Sequence, residues 1–144
     1  MWWTTVTLED LMRRDVVTAT PGATVETLAQ KMHDADVGSV VIVDDSWPVG
    51  LVTDRDLTVR VLGRGLDPAD MTAHDVMTGE PITAPVEAGL LELTAMMRDE
   101  GVRRMPIVDG DELAGIVTMD DLYRLLVDEL DNLSEVIAKE SPPY

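Results

Sequence analysis

Apolar positions along the chain change their period in a fixed order, and that order occurs twice. Val25, Leu28, Ala29 and Met32 recur at i, i+3, i+4 and i+7, the stripe of an amphipathic helix, and Leu90, Leu93 and Met97 repeat it. Two β-branched runs follow each stripe. Ser39 to Val43 and Val49 to Thr53 are split by Asp45-Ser46-Trp47-Pro48, while Met105–Val108 and Leu113–Thr118 are split by Asp109-Gly110-Asp111. Each pair predicts a hairpin with turn chemistry between its strands. Ahead of the helices, Val16-Val17-Thr18 and Pro81-Ile82-Thr83 predict short extended pieces. Ahead of those, Thr7-x-x-Asp10 and Thr72-x-x-Asp75 have the spacing of capping boxes that start single helical turns ending near Met12 and Met77. A second helix is predicted to begin at Thr53 and at Thr118. After Leu122 the apolar spacing runs on through Leu125, Leu126, Leu130, Leu133 and Ile137, so the last helix is predicted to outlast its counterpart until Ser141-Pro142-Pro143 ends it.

The two halves are copies. An offset of 65 residues, without a gap, superimposes residues 7–62 on 72–127, and 18 of the 56 aligned positions are identical. The densest match sets Gly50-Leu51-Val52-Thr53-Asp54-Arg55-Asp56-Leu57 on Gly115-Ile116-Val117-Thr118-Met119-Asp120-Asp121-Leu122. The expected organisation is a first repeat at 7–62, a connector at 63–71, a second repeat at 72–130, and a helical extension and tail at 131–144. The connector, with Gly63, Gly65 and Pro68, is rich in chain breakers. Its Gly-x-Gly follows a helix rather than a strand and lacks a third glycine, so it is no dinucleotide fingerprint. A unit of under 60 residues buries too little surface to be more than marginal alone. The fold class expected is α+β, two β-α-β-β-α units packed about a pseudo-two-fold axis, with a cleft lined twice by equivalent residues.

Composition narrows the partners. Against 28 Asp and Glu stand 11 Lys and Arg, a net charge of -17, and such a field repels phosphate backbones and anionic headgroups. Nucleic acid and membrane are therefore not expected partners. Lys31 and Lys139 are the only lysines, and an acidic balance of this kind also suits a saline cytoplasm, so no cationic ligand is inferred from it. There are no cysteines, which excludes disulfides, thiolate catalysis and Cys-ligated metal. The start, Met1-Trp2-Trp3-Thr4, has no basic segment followed by an apolar run, and no stretch is long enough to span a bilayer, so a cytoplasmic protein is expected.

Gly50…Thr53…Asp56 and Gly115…Thr118…Asp121 lie where a strand ends and a helix begins. Free N–H groups, the helix dipole and a Thr hydroxyl suit an anion there, and an Asp one turn on can accept two hydrogen bonds from ribose hydroxyls. Glycine removes a side chain where a ligand or another backbone comes close. The same Thr-x-x-Asp is also a capping box, which needs no ligand. His33 and His74 are not repeat equivalents and have no evident partners for acid–base or metal chemistry. Asp44-Asp45, Asp109–Glu112 and Asp54/Asp56 read mostly as hairpin tips and solvated faces, with weak magnesium binding as the lesser alternative. Trp2 and Trp3 are expected to pack on the module or in a dimer interface.

Taken with Gly101-Val102-Arg103-Arg104-Met105-Pro106-Ile107-Val108-Asp109 and with Asp75-Val76-Met77 leading into Ile82-Thr83, the repeated Gly-h-h-Thr-x-x-Asp resembles the CBS domain, here as a tandem pair. The resemblance runs from about residue 7 to 130, is cleaner in the second repeat, and is nearest to small stand-alone prokaryotic CBS pairs, some linked to stress responses. It implies a regulatory, energy-sensing homodimer that binds AMP, ADP or ATP between the repeats, with S-adenosylmethionine or NAD as secondary choices and no required cofactor. By that resemblance Thr53 and Thr118 face phosphate or ribose, and Asp56 and Asp121 hold ribose. Thr18-Ala19 and Thr83-Ala84 offer backbone groups to adenine, while Val40, Met105 and Pro106 wall the base.

The repeats differ where Gly38-Ser39-Val40-Val41 stands against Arg103-Arg104-Met105-Pro106, and where Arg55 stands against Asp120. Arg55, Arg103 and Arg104 are expected either to converge on one phosphate or to pair with surface carboxylates; Asp120 would repel phosphate at the other site. No nucleophile–base constellation is present, so no enzyme is expected. The expected function is a nucleotide-sensing module acting through an effector protein; the alternative is a ligand-free CBS scaffold.

Overall fold

The computed structural model describes residues 7–140, so Trp2 and Trp3 lie outside the described residues. The first repeat runs α1 (Leu8–Leu11), β1 (Thr18–Ala19), α2 (Val25–Ala35), β2 (Ser39–Asp44), β3 (Trp47–Thr53) and α3 (Asp54–Asp56). The second runs α4 (Ala73–Val76), β4 (Thr78–Gly79), β5 (Ala84–Pro85), α5 (Leu90–Glu100), β6 (Arg104–Asp109), β7 (Glu112–Thr118) and α6 (Met119–Glu140). The mixed α/β architecture is as expected, and local chemistry explains most of it. Thr7 and Thr72 cap α1 and α4 in reciprocal boxes with Asp10 and Asp75. Val25, Leu28 and Met32 bury one face of α2, and Leu93 and Met97 do the same for α5. The hairpin β2–β3 closes on Asp45 and Ser46 alone, both with positive φ (49° and 67°), so Trp47 and Pro48 belong to β3 rather than to the turn. Two consecutive positive φ values give the tight turn whose twist matches the flanking strands.

One sheet has the order β1-β2-β3-β4 and the other β5-β6-β7. β4, which comes from the second repeat, pairs with β3 of the first, setting Leu51 opposite Thr78 and Gly50 opposite Gly79. The reverse exchange places Arg13 of the first repeat opposite Ile116 on β7. The cores follow the exchange. Leu8 and Met12 are buried with Leu93, Met105, Ile107 and Val117, whereas Ala73 and Val76 are buried with Leu28, Val40, Ile42 and Val52. Each repeat thus lends its opening turn to the other repeat's core.

Gly50 and Gly115 are the points of closest approach. A Cβ on Gly115 would lie 2.9 Å from both the Arg13 carbonyl oxygen and Met12 Cγ, and one on Gly50 would meet Met77 Cγ at 2.9 Å. The glycines therefore admit the exchanged methionines rather than a ligand. Because Arg13 is held in a backbone bridge, it has little freedom to yield. Gly115→Ala is expected to cost about 1–3 kcal/mol, a fall in melting temperature of roughly 3–9 °C. Gly79→Ala, where a Cβ would have nothing within 4 Å, is the control that should leave the melt unchanged.

The helix after β3 departs from its counterpart. Three α-helical residues pass into a π-turn over Leu57–Val61 and a 3-10 turn over Leu62–Arg64 before Gly65 ends it at φ 68°. The wider turn carries Val61 into the core at 3% exposure, while Leu126, its equivalent, stays 56% exposed on the 22-residue α6.

Candidate functional site

A cleft of about 370 Å³ lies between the repeats, within the size range of ligand pockets. Its first-repeat wall includes Val16-Val17 with Gly38, Ser39 and Val41, flanked by Asp15 and Asp36; its second-repeat wall includes Arg103, Arg104 and the start of α6 at Thr118–Asp120. Strand alternation selects these residues. Ser39 and Val41 face the cleft, whereas Val40 and Ile42 point into the first core.

Of the fourteen residues expected at a site, Arg103, Arg104 and Thr118 line this cleft. Val40 and Met105, expected as walls for a base, are core residues at 0% exposure: their side chains have the opposite strand parity. Ala19 and Ala84 likewise turn their side chains into the cores. Pro106, out of phase with Met105, is buried on the other face of β6 but does not line the cleft. Thr18, Thr53, Arg55, Asp56, Thr83 and Asp121 are also not among its lining residues. Arg55 therefore does not join Arg103 and Arg104 there. Asp120, assigned by its repeat position to the other site, shares the cleft with these two arginines.

The capping reading of Thr-x-x-Asp is realised twice. Thr53 N–H donates to Asp56 at 2.8 Å and Asp56 N–H to the Thr53 hydroxyl at 3.2 Å; Thr118 and Asp121 repeat the exchange at 3.2 Å each way. Asp121 does more. Arg13 Nε and Nη2 donate to its Oδ1 at 3.2 and 3.0 Å, with Arg124 Nη1 at 3.7 Å. Both arginines also line the cleft. Sequence reasoning missed them because Arg13 reaches Asp121 through the exchanged segment. Arg124 alone had a local signal, three residues beyond Asp121 on one helix face.

Arg103 and Arg104 stand apart from this network. Among the described residues, their side chains make no hydrogen bond or ion pair, although the chain carries 28 carboxylate residues. Arg104 Nη2 and Asp54 Oδ2 each sit 3.3 Å from where a Cβ on Gly38 would be, so glycine makes room both for the guanidinium leaning across from the second repeat and for that carboxylate. The Arg103 carbonyl accepts from Met119 N–H at 2.8 Å, tying the start of β6 to the first turn of α6.

Burial pushes the Asp121 carboxyl up, but the Thr118 hydroxyl and N–H and then Arg13 outweigh it and hold the group below its ordinary 3.8. A depressed folded value stabilises the fold above the unfolded value, and that contribution is lost as pH falls through the folded one. Asp75, lowered by the N–H and hydroxyl of Thr72, acts with the same sign. Asp121→Asn is therefore expected to flatten part of the acid limb of a melting-temperature profile below about pH 4. A limb identical to that of the unsubstituted chain would contradict the assignment.

A match to the CBS domain covers residues 8–63 and again 73–128. The chain belongs to the CBS domain family. As a tandem CBS pair it is 39% identical over 122 residues to an uncharacterized protein of Methanopyrus kandleri, spanning 83% of this chain and 62% of that protein's length. It is 33% identical over 121 residues to Hypoxic response protein 1 of Mycobacterium tuberculosis, covering 83% and 85% of the two chains. The crystal structure of that response protein, with two coordinated zinc ions, superimposes with a TM-score of 0.74 at 32% identity, over 83% of this chain and 98% of that one. The cytosolic domain of the Mg2+ channel MgtE, in complex with ATP, gives a TM-score of 0.70 at 25% identity, over 83% of this chain and 48% of that one. CBS pairs are regulatory modules. Among the described residues, the pair has no cluster of three or more His, Cys, Asp or Glu placed to hold a metal, and no helix long and apolar enough to cross a membrane.

Proposed function

We propose that this CBS pair is a non-catalytic, cytoplasmic sensor that binds an adenosine-containing nucleotide, AMP, ADP or ATP, in the cleft between its repeats. Occupancy is passed on by a change in dimer packing to an effector protein. The observation that carries this reading is the pair of unpartnered arginines, Arg103 and Arg104, in a cleft that also holds Thr118 and the start of α6. The cleft's own carboxylates, Asp15, Asp36 and Asp120, make no ion pair with either arginine, and two free guanidiniums beside the first turn of a helix suit a phosphate. The ATP complex of the MgtE domain supports the class of ligand.

A thermal-shift panel of AMP, ADP, ATP, S-adenosylmethionine and NAD, with and without magnesium, tests it. A ligand at a hundred times its dissociation constant stabilises by about 2.7 kcal/mol, a rise of roughly 5–11 °C. No rise at millimolar concentration overturns the reading. The Asp121 network favours the alternative of a ligand-free interaction module, since one carboxylate oxygen is already held by Arg13 and the other by Thr118. Under that alternative the panel is flat.

A further inference from the structure

A groove of about 210 Å³ runs along the first repeat between α2 and the turns that follow β3. Val25 and Ala29 form one bank, Val61 and Leu62 the other, and the connector closes it with Leu66 and Pro68. The backbone fastens the connector there. Leu66 N–H donates to the Val61 carbonyl at 3.0 Å. The Pro68 and Met71 carbonyls accept from the N–H groups of Glu26 at 3.1 Å and Val25 at 2.8 Å. Those two bonds satisfy donors that the start of a helix leaves free. Met71 then packs against the first core, in which Ala73 is buried.

The equivalent face of the second repeat is left open among the described residues. The 65-residue offset sets Leu90 and Thr94 of α5 on Val25 and Ala29, and Leu126 and Val127 of α6 on Val61 and Leu62. Leu126 and Val127 are 56% and 54% exposed, and Leu91 on the first turn of α5 is 84% exposed. Gly89 gives α5 no side-chain cap, and among the described residues no carbonyl accepts from Leu90 or Leu91 N–H. Yet Leu8, the equivalent of Ala73, is buried in the second core, so the chain ahead of it sets out from the same place. The same offset, carried further back, sets Met1 on Leu66, Trp3 on Pro68 and Val6 on Met71. The connector positions that face protein are thus apolar in both copies, while Trp2 falls on the exposed Asp67.

We infer that residues 1–6 of this chain lie over α5 and α6 as the connector lies over α2 and the turns after β3. Trp3 packs against Leu126, and the Val6 and Trp3 carbonyls accept from Leu90 and Leu91 N–H. Reach selects this occupant, since five positions separate Trp3 from Leu8 as five separate Pro68 from Ala73. Size suits it too. Because α6 lacks the π-turn, Leu126 stays out where Val61 goes in, and tryptophan covers more surface than proline. The inference is independent of nucleotide binding. It touches the cleft all the same, because the segment continues through α1 to Arg13, which holds Asp121.

Acrylamide quenching of the full chain tests the proposal, with Trp2→Phe and Trp47→Phe leaving Trp3 as the sole tryptophan. A neutral quencher is needed because a net charge of -17 repels iodide. Trp3 should be quenched several-fold less than free N-acetyltryptophanamide, and equally so at nanomolar and at tens of micromolar protein. Leu126→Asp should return it to the free value. Leu126 is exposed in the described structure, so far-ultraviolet circular dichroism should show that variant folded. Hydrogen exchange reads the backbone half: the Leu90 and Leu91 amides should exchange several-fold faster in Trp3→Ser than in the unsubstituted chain. Trp3 as accessible as the free compound, or equally protected in Leu126→Asp, overturns the docking. Unchanged exchange at Leu90 and Leu91 overturns the backbone pairing. Protection that disappears on dilution gives the seat to a second copy and overturns the intramolecular assignment. A failed nucleotide panel leaves each of these results standing.

Discussion

Leu8→Ala is expected to loosen the second sheet while sparing the first, although Leu8 belongs to α1, the opening element of the first repeat. Leu8 is 0% exposed and its neighbours are Leu93, Met105, Ile107 and Val117. Truncating a leucine so placed leaves a cavity that costs about 3 kcal/mol, or a fall in melting temperature of roughly 10 °C for a chain this size. Hydrogen exchange locates the damage. Amides of β6 and β7 should lose protection ahead of those of β2 and β3, because opening of the second core exposes its ladder first. The mirror experiment, Val76→Ala, should loosen β2 and β3, since Val76 is 1% exposed in the first core. Exchange that rises in the repeat carrying the substitution, rather than in its partner, would contradict the exchanged cores.

Replacing Arg103 and Arg104 together by alanine should abolish most of the nucleotide response while leaving the fold intact. A hydrogen bond to a charged group contributes about 1.5–3 kcal/mol, so loss of both arginines predicts a weakening of roughly a hundredfold or more. Neither side chain has a protein partner among the described residues, so their removal strands no carboxylate and the melt of the unliganded protein should barely move. Calorimetric titration with ATP separates the outcomes. Adenosine should lose far less than ATP if the arginines hold phosphate. Equal losses for both would place the arginines elsewhere in the ligand's surroundings, and no loss for either would remove them from the site.

What could be read from the residues was whatever is settled within a few positions. The capping boxes at Thr7, Thr53, Thr72 and Thr118, the hairpins and the stripes of α2 and α5 are all local, and all are present, although Ala29 of the α2 stripe is exposed. The exchange of α1 and α4 was not legible, because an apolar turn such as Leu8–Met12 shows that it needs a core but not which of two similar cores receives it. Strand parity was the second gap. Val40 and Val41 are alike in chemistry, and the register that sends Val40 inward and Val41 to the cleft is fixed by packing of the whole sheet. The π-turn at Leu57–Val61 was the third. Its reward is the burial of Val61 in the first core, a tertiary gain that local spacing does not record. At the site, Arg103 and Arg104 were visible as a break in the repeat. Arg13 was hidden by the 108 residues that separate it from Asp121.

The exchanged helices also set the order in which the molecule can be completed during synthesis. The strands and helices that make up the first core run without interruption from Val17 to Met77, so that lobe has every residue it needs once half the chain has been made. The second lobe has no such advantage. Leu8 and Met12 leave the ribosome ahead of the whole first core, yet Met105, Ile107 and Val117, against which they pack, follow it. At ordinary elongation rates of 5–20 residues per second, the wait is roughly 5–20 s. During that interval the opening segment is an apolar tether with a finished lobe on one side and no destination on the other.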